Sequence, residues 1–508
     1  MTRVQLQLSE VMELARNHRV IPIIETLFSG TETPVSIFEK LAANRSGSFL
    51  LESAQHGVWA RYSFIGVKNR GLLTQDSNGQ VAWASTNNES PLPDGTFSLP
   101  STALEAVAKI QAEWNTAAIG DLPPLISGLV GVMGWDLIRE IENLAPPRQK
   151  DFASPNLALA MFSELVIVDH ETNCVLLVSN IFVSDNADVG ALYENALQNI
   201  SEMRRGLLEP IKPLIADIDF AADYVAEHPT AKTTFLDSIG KAKGYVRSGD
   251  VFQVVLSQRF DLETQASALD TYRVLRALNP SPYMYLLNFA DEHGEYAVVG
   301  SSPEALVSVS QGNAITHPIA GSRPRGANHE ADQRNEAELL ADNKEKSEHL
   351  MLVDLARNDL LKVCEPSSVT VTEFMQVHKF SHIMHLVSTV EGKVEQGRSA
   401  VDVFKATFPA GTLSGAPKPR ALEIIDELED SNRGIFGGVV GYFDFAGNAD
   451  LAIAIRTAFI RDGVAHVQAG AGIVLDSVPE SEYQETLTKA SAPLRAIAAA
   501  NAMVRRID

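Results

Sequence analysis

Cysteine is almost missing from this 508-residue chain, with Cys174 and Cys364 the only two. Two are too few for a disulfide framework, and neither lies in a Cys-x-x-Cys. A reducing compartment is therefore expected, and the chain is expected to be cytoplasmic. No run of 18 or more apolar residues occurs, so no membrane span is expected. The opening MTRVQLQLSEVMELARNHRV lacks an apolar block ahead of a small-residue cleavage site and does not read as a signal peptide. Positive charge is scarce: 42 Lys and Arg against 64 Asp and Glu leave a formal net charge of −22. That argues against a nucleic-acid backbone or an anionic membrane as the main partner. An anionic substrate would then need a local cationic device, and a metal ion is one. There is no repeat at solenoid spacing and no low-complexity tract. What is present is the balance of an ordinary folded core, 45% apolar and 21% charged, in a length that suits two or more domain-sized units.

Hairpin patterns predominate. Residues 164–183 are two β-branched runs around a polar turn at 170–173. YMYLLNFADEHGEYAVVGS turns at 291–294, and EALVSVSQGNAITHPIAG turns at QGN. Helical spacing appears in TALEAVAKIQAEW, in ALYENALQNISEMRRGL, in 233–250 and over roughly 330–360. The tail reads as strands (GIFGGVVGYFDF, LAIAIRTAFI, AHVQAGAGIVL) and then an Ala-rich helix. Pro and acidic residues mix over 208–233, the candidate boundary between an N-terminal part (1–215) and a second part (230–500). The expected class is α+β, with a large antiparallel or mixed sheet.

Two carboxylate couples stand out, Glu345 with Glu348 and Glu482 with Glu485. Each has i, i+3 spacing, which puts both side chains on one helix face. Such faces are often merely solvated. Brought together, however, the four would repel unless a hard divalent cation sat among them, and Mg²⁺ is typically held by one or two carboxylates plus an anionic substrate. FPAGTLSGAPKPRA is a permissive loop around Thr412 that either turns without a ligand or sets backbone N–H groups against an anion. It is not a Walker loop. His385 alternates with Val387 on one strand face, and its imidazole could move a proton near neutrality. Gly470 and Gly472 open one strand face, either as a bulge or for a flat ligand. Arg456 lies in an apolar run and needs an anion, structural or substrate. Lys489 follows Glu485 at i+4 and could simply pair with it.

Taken together, PIAGSRPRG, EKSEHLMLVDLARND, FPAGTLSGAPKPRA, GGVVGYFDF and QAGAGIVLDSVPESEYQET resemble the chorismate-utilising enzymes, densely over 235–497 and more loosely before it, where FLLESA (49–54) is the main anchor. The resemblance implies a two-layer β-sandwich core with helices outside, and Mg²⁺ as cofactor. It implies Glu348 and Glu485 as metal carboxylates, supported by Glu345 and Glu482. Arg456, Gly470, Gly472 and Lys489 would hold substrate. Gly321, Ser322 and Thr412 would line the ring, His385 would assist loss of the ring hydroxyl, and Glu304 would transfer a proton. Phe436 stands where tyrosine is frequent in the family. Ala320 in PIAG and Gln253 in VFQVVLSQR replace lysines that other branches use as a nucleophile or to activate water. The branch implied is therefore the one that converts chorismate and ammonia to anthranilate and pyruvate. The alternatives are an aminodeoxychorismate or isochorismate/salicylate type, or a non-catalytic tryptophan-sensing subunit.

In this family LLES belongs to a tryptophan inhibitor pocket. The resemblance places Glu52, Ser53, Arg61, Pro282, Tyr283, Met284, Val440 and Tyr442 there, across the expected boundary. Ammonia is implied to come from a separate glutamine amidotransferase subunit, in a hetero-oligomer, since neither cysteine has the setting of that nucleophile.

Overall fold

The computed structural model describes residues 6–43, 45–53, 61–75, 79–85, 87–117, 119, 122–146, 151–212, 214–379 and 383–506. Ala54, the end of FLLESA, and residues 1–5 lie outside them. The class is α+β. Among the described residues, twenty strands join in one hydrogen-bonded network whose strand pairs are all antiparallel. Strands from the two ends of the chain alternate within it. Ser48–Glu52 pairs with Tyr283–Asp291, and Gly128–Met133 pairs with Val439–Asp444.

The period of two along each strand creates the layers. Phe49, Tyr285, Leu287 and Val298 point into an interior cluster that strand residues dominate, with Phe162 and Phe459. Their neighbours Leu50, Met284, Leu286 and Val299 point the other way, onto helix residues such as Phe38, Tyr272, Leu275 and Ala499. A third cluster packs Leu129, Val254 and Leu256 against Val107, Phe404 and Ile425. Sheet thus faces sheet, and helices cover the outside. No described helix is long and apolar enough to cross a membrane.

The expected hairpins form as Leu157–Asp169 with Cys174–Phe182, Tyr283–Asp291 with Gly294–Ser302, and Ala305–Ser310 with Asn313–Thr316. Two expectations need correction. The stretch over 330–360 is two helices, His329–Ala341 and Asn343–Leu360. Asp342 divides them with extended backbone, and its carboxylate accepts from the N–H groups of Lys344 and Glu345, capping the second helix. Nor is LAIAIRTAFI one strand. It breaks into Ala449–Ile453 and Thr457–Arg461, and Arg456 sits in the break with φ +53°. Left-handed backbone is costly for a non-glycine residue and cannot continue a strand.

One buried ion pair ties the outer helices to the loop that carries Thr412. Lys418 opens the helix Lys418–Leu428, and its Nζ donates to Asp359 Oδ2 (2.6 Å) and to the Thr407 carbonyl (3.0 Å). Both side chains are buried. Asp359→Ala would leave the ammonium buried and uncompensated, which costs about 3–5 kcal/mol. Urea denaturation should show that loss, and Lys418→Met added to Asp359→Ala should recover most of it. A loss below about 1 kcal/mol, the size of an exposed pair, would contradict the assignment.

Candidate active site

The strand Ile319–Pro324 and the strand Ile383–Lys393 run antiparallel, with Ser322 opposite His385. Gly321 bulges out of that register at φ +66°, a conformation that glycine adopts without strain. The bulge places its carbonyl 2.9 Å from His385 Nδ1. A carbonyl can only accept, so Nδ1 carries the hydrogen and Nε2 is the basic nitrogen. Burial, and then the Arg456 guanidinium, hold the imidazole pKa below its ordinary value, although the Gly321 bond works the other way. His385 is therefore neutral near pH 7.

A Cβ on Gly321 would lie 3.1 Å from Glu345 Oε2. Glu345 stands in the first turn of the helix Asn343–Leu360, with Arg323 3.4 Å from its Oε1. One turn later, Glu348 has its pKa raised, first by burial and then by repulsion from Glu345 and from Glu485, while Lys344 and Lys489 oppose the rise. Glu485 belongs to the last long helix, Pro479–Asn501. Glu348 and Glu485, one from each couple, thus repel one another across two helices. Glu482 is raised as well, by burial with a contribution from Glu485, against a hydrogen bond from Ser477. Lys489 Nζ lies 2.7 Å from Glu485 Oε1 and donates to the Gly470 carbonyl at 3.0 Å. The helix pair read from sequence is thus present, and it also reaches the glycine strand.

Arg456 Nη1 donates to the backbone carbonyl of Lys489 at 2.7 Å. Burial disfavours its charge and Glu485 favours it. Thr412 Oγ1 donates to Glu304 Oε1 at 3.0 Å. Burial pushes the Glu304 carboxyl up to about 7, against the pull of Thr412 and Lys489. The loop around Thr412 is braced from below by Arg433, which donates to the Leu413 and Val255 carbonyls (2.6 and 2.8 Å) and pairs with buried Glu429. Phe436 is buried beneath the Arg433 guanidinium rather than joined to the titratable groups.

Hydrogen bonds, ion pairs and longer-range charge interactions together trace a ring. Thr412 leads to Glu304, Lys489, Glu485, Glu348, Glu345, Gly321, His385 and Arg456, and Arg456 returns to Lys489. Among the described residues, no three His, Cys, Asp or Glu side chains are grouped tightly enough to hold a metal ion by themselves. A cation here would take a carboxylate from each helix and complete its shell with substrate and water oxygens, which suits Mg²⁺. The repulsion that Glu345 and Glu485 each exert on Glu348 fits that donor set.

Gln253 was read from sequence only as a missing lysine. It is buried, and a Cβ on Gly472 would lie 2.9 Å from its Nε2. No hydrogen bond joins its carboxamide to another described residue. A neutral amide therefore lies against the glycine face, which a charge-based reading of the strand does not detect.

A second group forms at the pairing of Ser48–Glu52 with Tyr283–Asp291, where Glu52 lies opposite Met284. Glu52 accepts from Tyr272 (2.5 Å) and pairs with Arg276 (3.2 Å). Ser53 Oγ is buried without a partner among the described residues. Tyr283, beside Pro282, donates to Asp450 at 3.2 Å, and Asp450 lies across the ladder from Tyr442, two residues from Val440. Burial lifts Asp450 to about 6. Arg61 is not drawn into this group, because it pairs with Asp169 and Glu171 at 2.9 and 3.0 Å. Sequence reading missed Tyr272, Arg276 and Asp450. Asp450 had a signal, an acid inside an apolar strand, whereas Arg276 looks like any surface helix cation. A separate cavity of about 450 Å³ is lined by Glu32, Thr33, Asp169, His170, Arg273 and Arg276, and none of the ring residues lines it.

Comparison with known proteins gives a consistent picture. A family model described as chorismate binding enzyme matches residues 49–495. Anthranilate synthase component 1 of Arthrobacter globiformis is 48% identical over 505 residues, spanning 98% of this chain and 93% of that relative. The Mycolicibacterium smegmatis protein of the same name is 47% identical over 493 residues, 96% and 92% of the two chains. The crystal structure of anthranilate synthase component I from Streptococcus pneumoniae TIGR4 superposes with a TM-score of 0.75 at 32% identity, covering 92% of this chain and 99% of that one. The menaquinone-specific isochorismate synthase of Escherichia coli shares the fold, with a TM-score of 0.68 at 19% identity and coverage of 96% and 98%.

The Glu304 geometry makes a direct prediction. Burial disfavours the anion, so its proton is held to about pH 7 instead of the ordinary 4.5. Thr412→Val removes a bond that stabilises the anion, so the carboxyl should titrate higher still. Carbon-13 NMR of glutamate-labelled protein, with Glu304→Gln for assignment, reads both values. A titration in the ordinary range would contradict the assignment.

Proposed function

The chain belongs to the chorismate-binding enzymes, and on that premise we propose that it converts chorismate and ammonia to anthranilate and pyruvate. The observation that carries this reading is the network in which Glu485 pairs with Lys489, Lys489 holds the Gly470 carbonyl and Arg456, and Glu348 is repelled from both helices. In a chain of net charge −22, such a cluster makes sense where a cation and a dianionic substrate are to meet. Glu348 and Glu485 would hold Mg²⁺, with Glu345 and Glu482 behind them. When bound, Mg²⁺ would supply positive charge beside the ring carboxylate, where electron density develops.

The protein's own groups supply the rest. Arg456, with the backbone of Gly470 and Gly472, takes the enolpyruvyl carboxylate. Ammonia forms its bond to the ring carbon next to the ring carboxyl, the ring double bonds shift, and the 4-hydroxyl leaves. Glu304, still protonated near neutrality, gives that hydroxyl its proton, so that water departs. His385, expected to assist loss of the hydroxyl, has its hydrogen held on Nδ1 by Gly321, so its Nε2 instead accepts the proton that the incoming nitrogen gives up as its bond forms. Gln253 cannot act as a base, but its amide oxygen can accept from ammonia and aim the nucleophile. Loss of a ring proton and of the enolpyruvyl group as pyruvate then gives the aromatic product. Ala320 offers no amine for a covalent step, which disfavours the aminodeoxychorismate reaction.

We further propose that the group around Glu52 and Tyr283 is a tryptophan inhibitor pocket, extended by Asp450 and Arg276. Both cysteines are buried, and burial raises the Cys364 thiol to about 11. That suits a chain that takes its ammonia from a separate glutamine amidotransferase subunit.

Purified chain with chorismate, Mg²⁺ and an ammonium salt should produce blue-fluorescent anthranilate and one pyruvate per turnover. Glutamine alone should not replace ammonium. Glu304→Gln should lower kcat by about 10²–10⁴ with little change in KM. A para-amino or hydroxylated product would contradict the reading.

A further inference from the structure

Pro493 lies inside the helix Pro479–Asn501, where a proline ordinarily weakens the helix. Its cost falls on one atom in particular. In an α-helix the carbonyl of residue 489 accepts from the N–H of residue 493, and proline has none. The Lys489 carbonyl is thereby left without its helical donor, and this is the carbonyl to which Arg456 Nη1 donates at 2.7 Å. Arg456 is half-buried, stands in left-handed backbone between two strands, and has its own carbonyl held by Ser301 N–H at 3.2 Å. The same Lys489 sends its ammonium to the Gly470 carbonyl and to Glu485. One helical residue therefore holds the arginine with its backbone and the glycine strand with its side chain.

We propose that Pro493 is a positioning residue for Arg456. It withholds the N–H that would compete for the Lys489 carbonyl, so the guanidinium has that acceptor to itself and is oriented before substrate arrives. This rests on the reading of Arg456 as a holder of a substrate carboxylate. A proline kept for packing alone would improve nothing at the arginine. A proline kept for this bond predicts opposite changes in stability and in binding, because restoring the helical hydrogen bond strengthens the helix while it loosens Arg456.

Pro493→Ala separates the two. The variant should melt higher than the parent, and its KM for chorismate should rise about tenfold or more, the worth of one charge-assisted hydrogen bond, with kcat unchanged. Arg456→Lys, which loses the guanidinium fork, should raise KM by itself, and Pro493→Ala added to it should raise KM no further. An unchanged KM in Pro493→Ala, or the same rise in both backgrounds, would overturn the proposal while leaving the role of Arg456 intact. If Arg456→Lys left KM unchanged, the reading of Arg456 would fall first, and the proposal with it.

Discussion

Carboxylates that face one another across two helices are the constraint on which the site depends. Glu345 and Glu348 leave one helix, and Glu482 and Glu485 leave another more than a hundred residues later. Burial, and then repulsion from Glu345 and Glu485, raises the Glu348 pKa. Proteins avoid such clusters unless something positive resolves them. Lys489 offsets one of the four, and the remaining repulsion is what a divalent cation with its anionic substrate would relieve. An acidic chain can in this way bind an acidic molecule.

The scaffold serves that convergence through backbone more than through side chains. The bulge at Gly321 turns one carbonyl onto His385 and brings Glu345 close behind it. The break at Arg456 turns a guanidinium out of a strand and onto a helix carbonyl. Buried Arg433 and Lys418 pull the Thr412 loop against the sheet from two sides, through main-chain acceptors at Leu413, Val255 and Thr407. The devices at Arg456, Arg433 and Lys418 each use a charged or strained residue where an apolar one would be more stable, the pattern expected where function sets the local choice.

The hairpins were legible because alternation repeats every two residues, and most helices because apolar residues recur at 3.6. The division at Asp342 was not, since one capping carboxylate inside a polar stretch changes no periodicity. Nor was the turn at Arg456, where an apolar run conceals a left-handed residue. Of the site, the four glutamates, His385, Arg456 and Lys489 were nameable from motif and resemblance. That most of them lie round one ring could not be read, because its longer links join segments about 60 to 190 residues apart. Gln253 and Pro493 act through what they lack, a charge and an N–H, and such signals are visible only once their neighbours are placed.

On the proposed function, glutamates from both helices would share one cation. Titrating the chain with Mn²⁺, a spectroscopic stand-in for Mg²⁺, in the presence of chorismate and without ammonia isolates binding from turnover. The account predicts a single site whose affinity drops about tenfold or more, roughly 1.4 kcal/mol, in both Glu348→Gln and Glu485→Gln. Equal Mn²⁺ affinity in the parent and in both variants would contradict it.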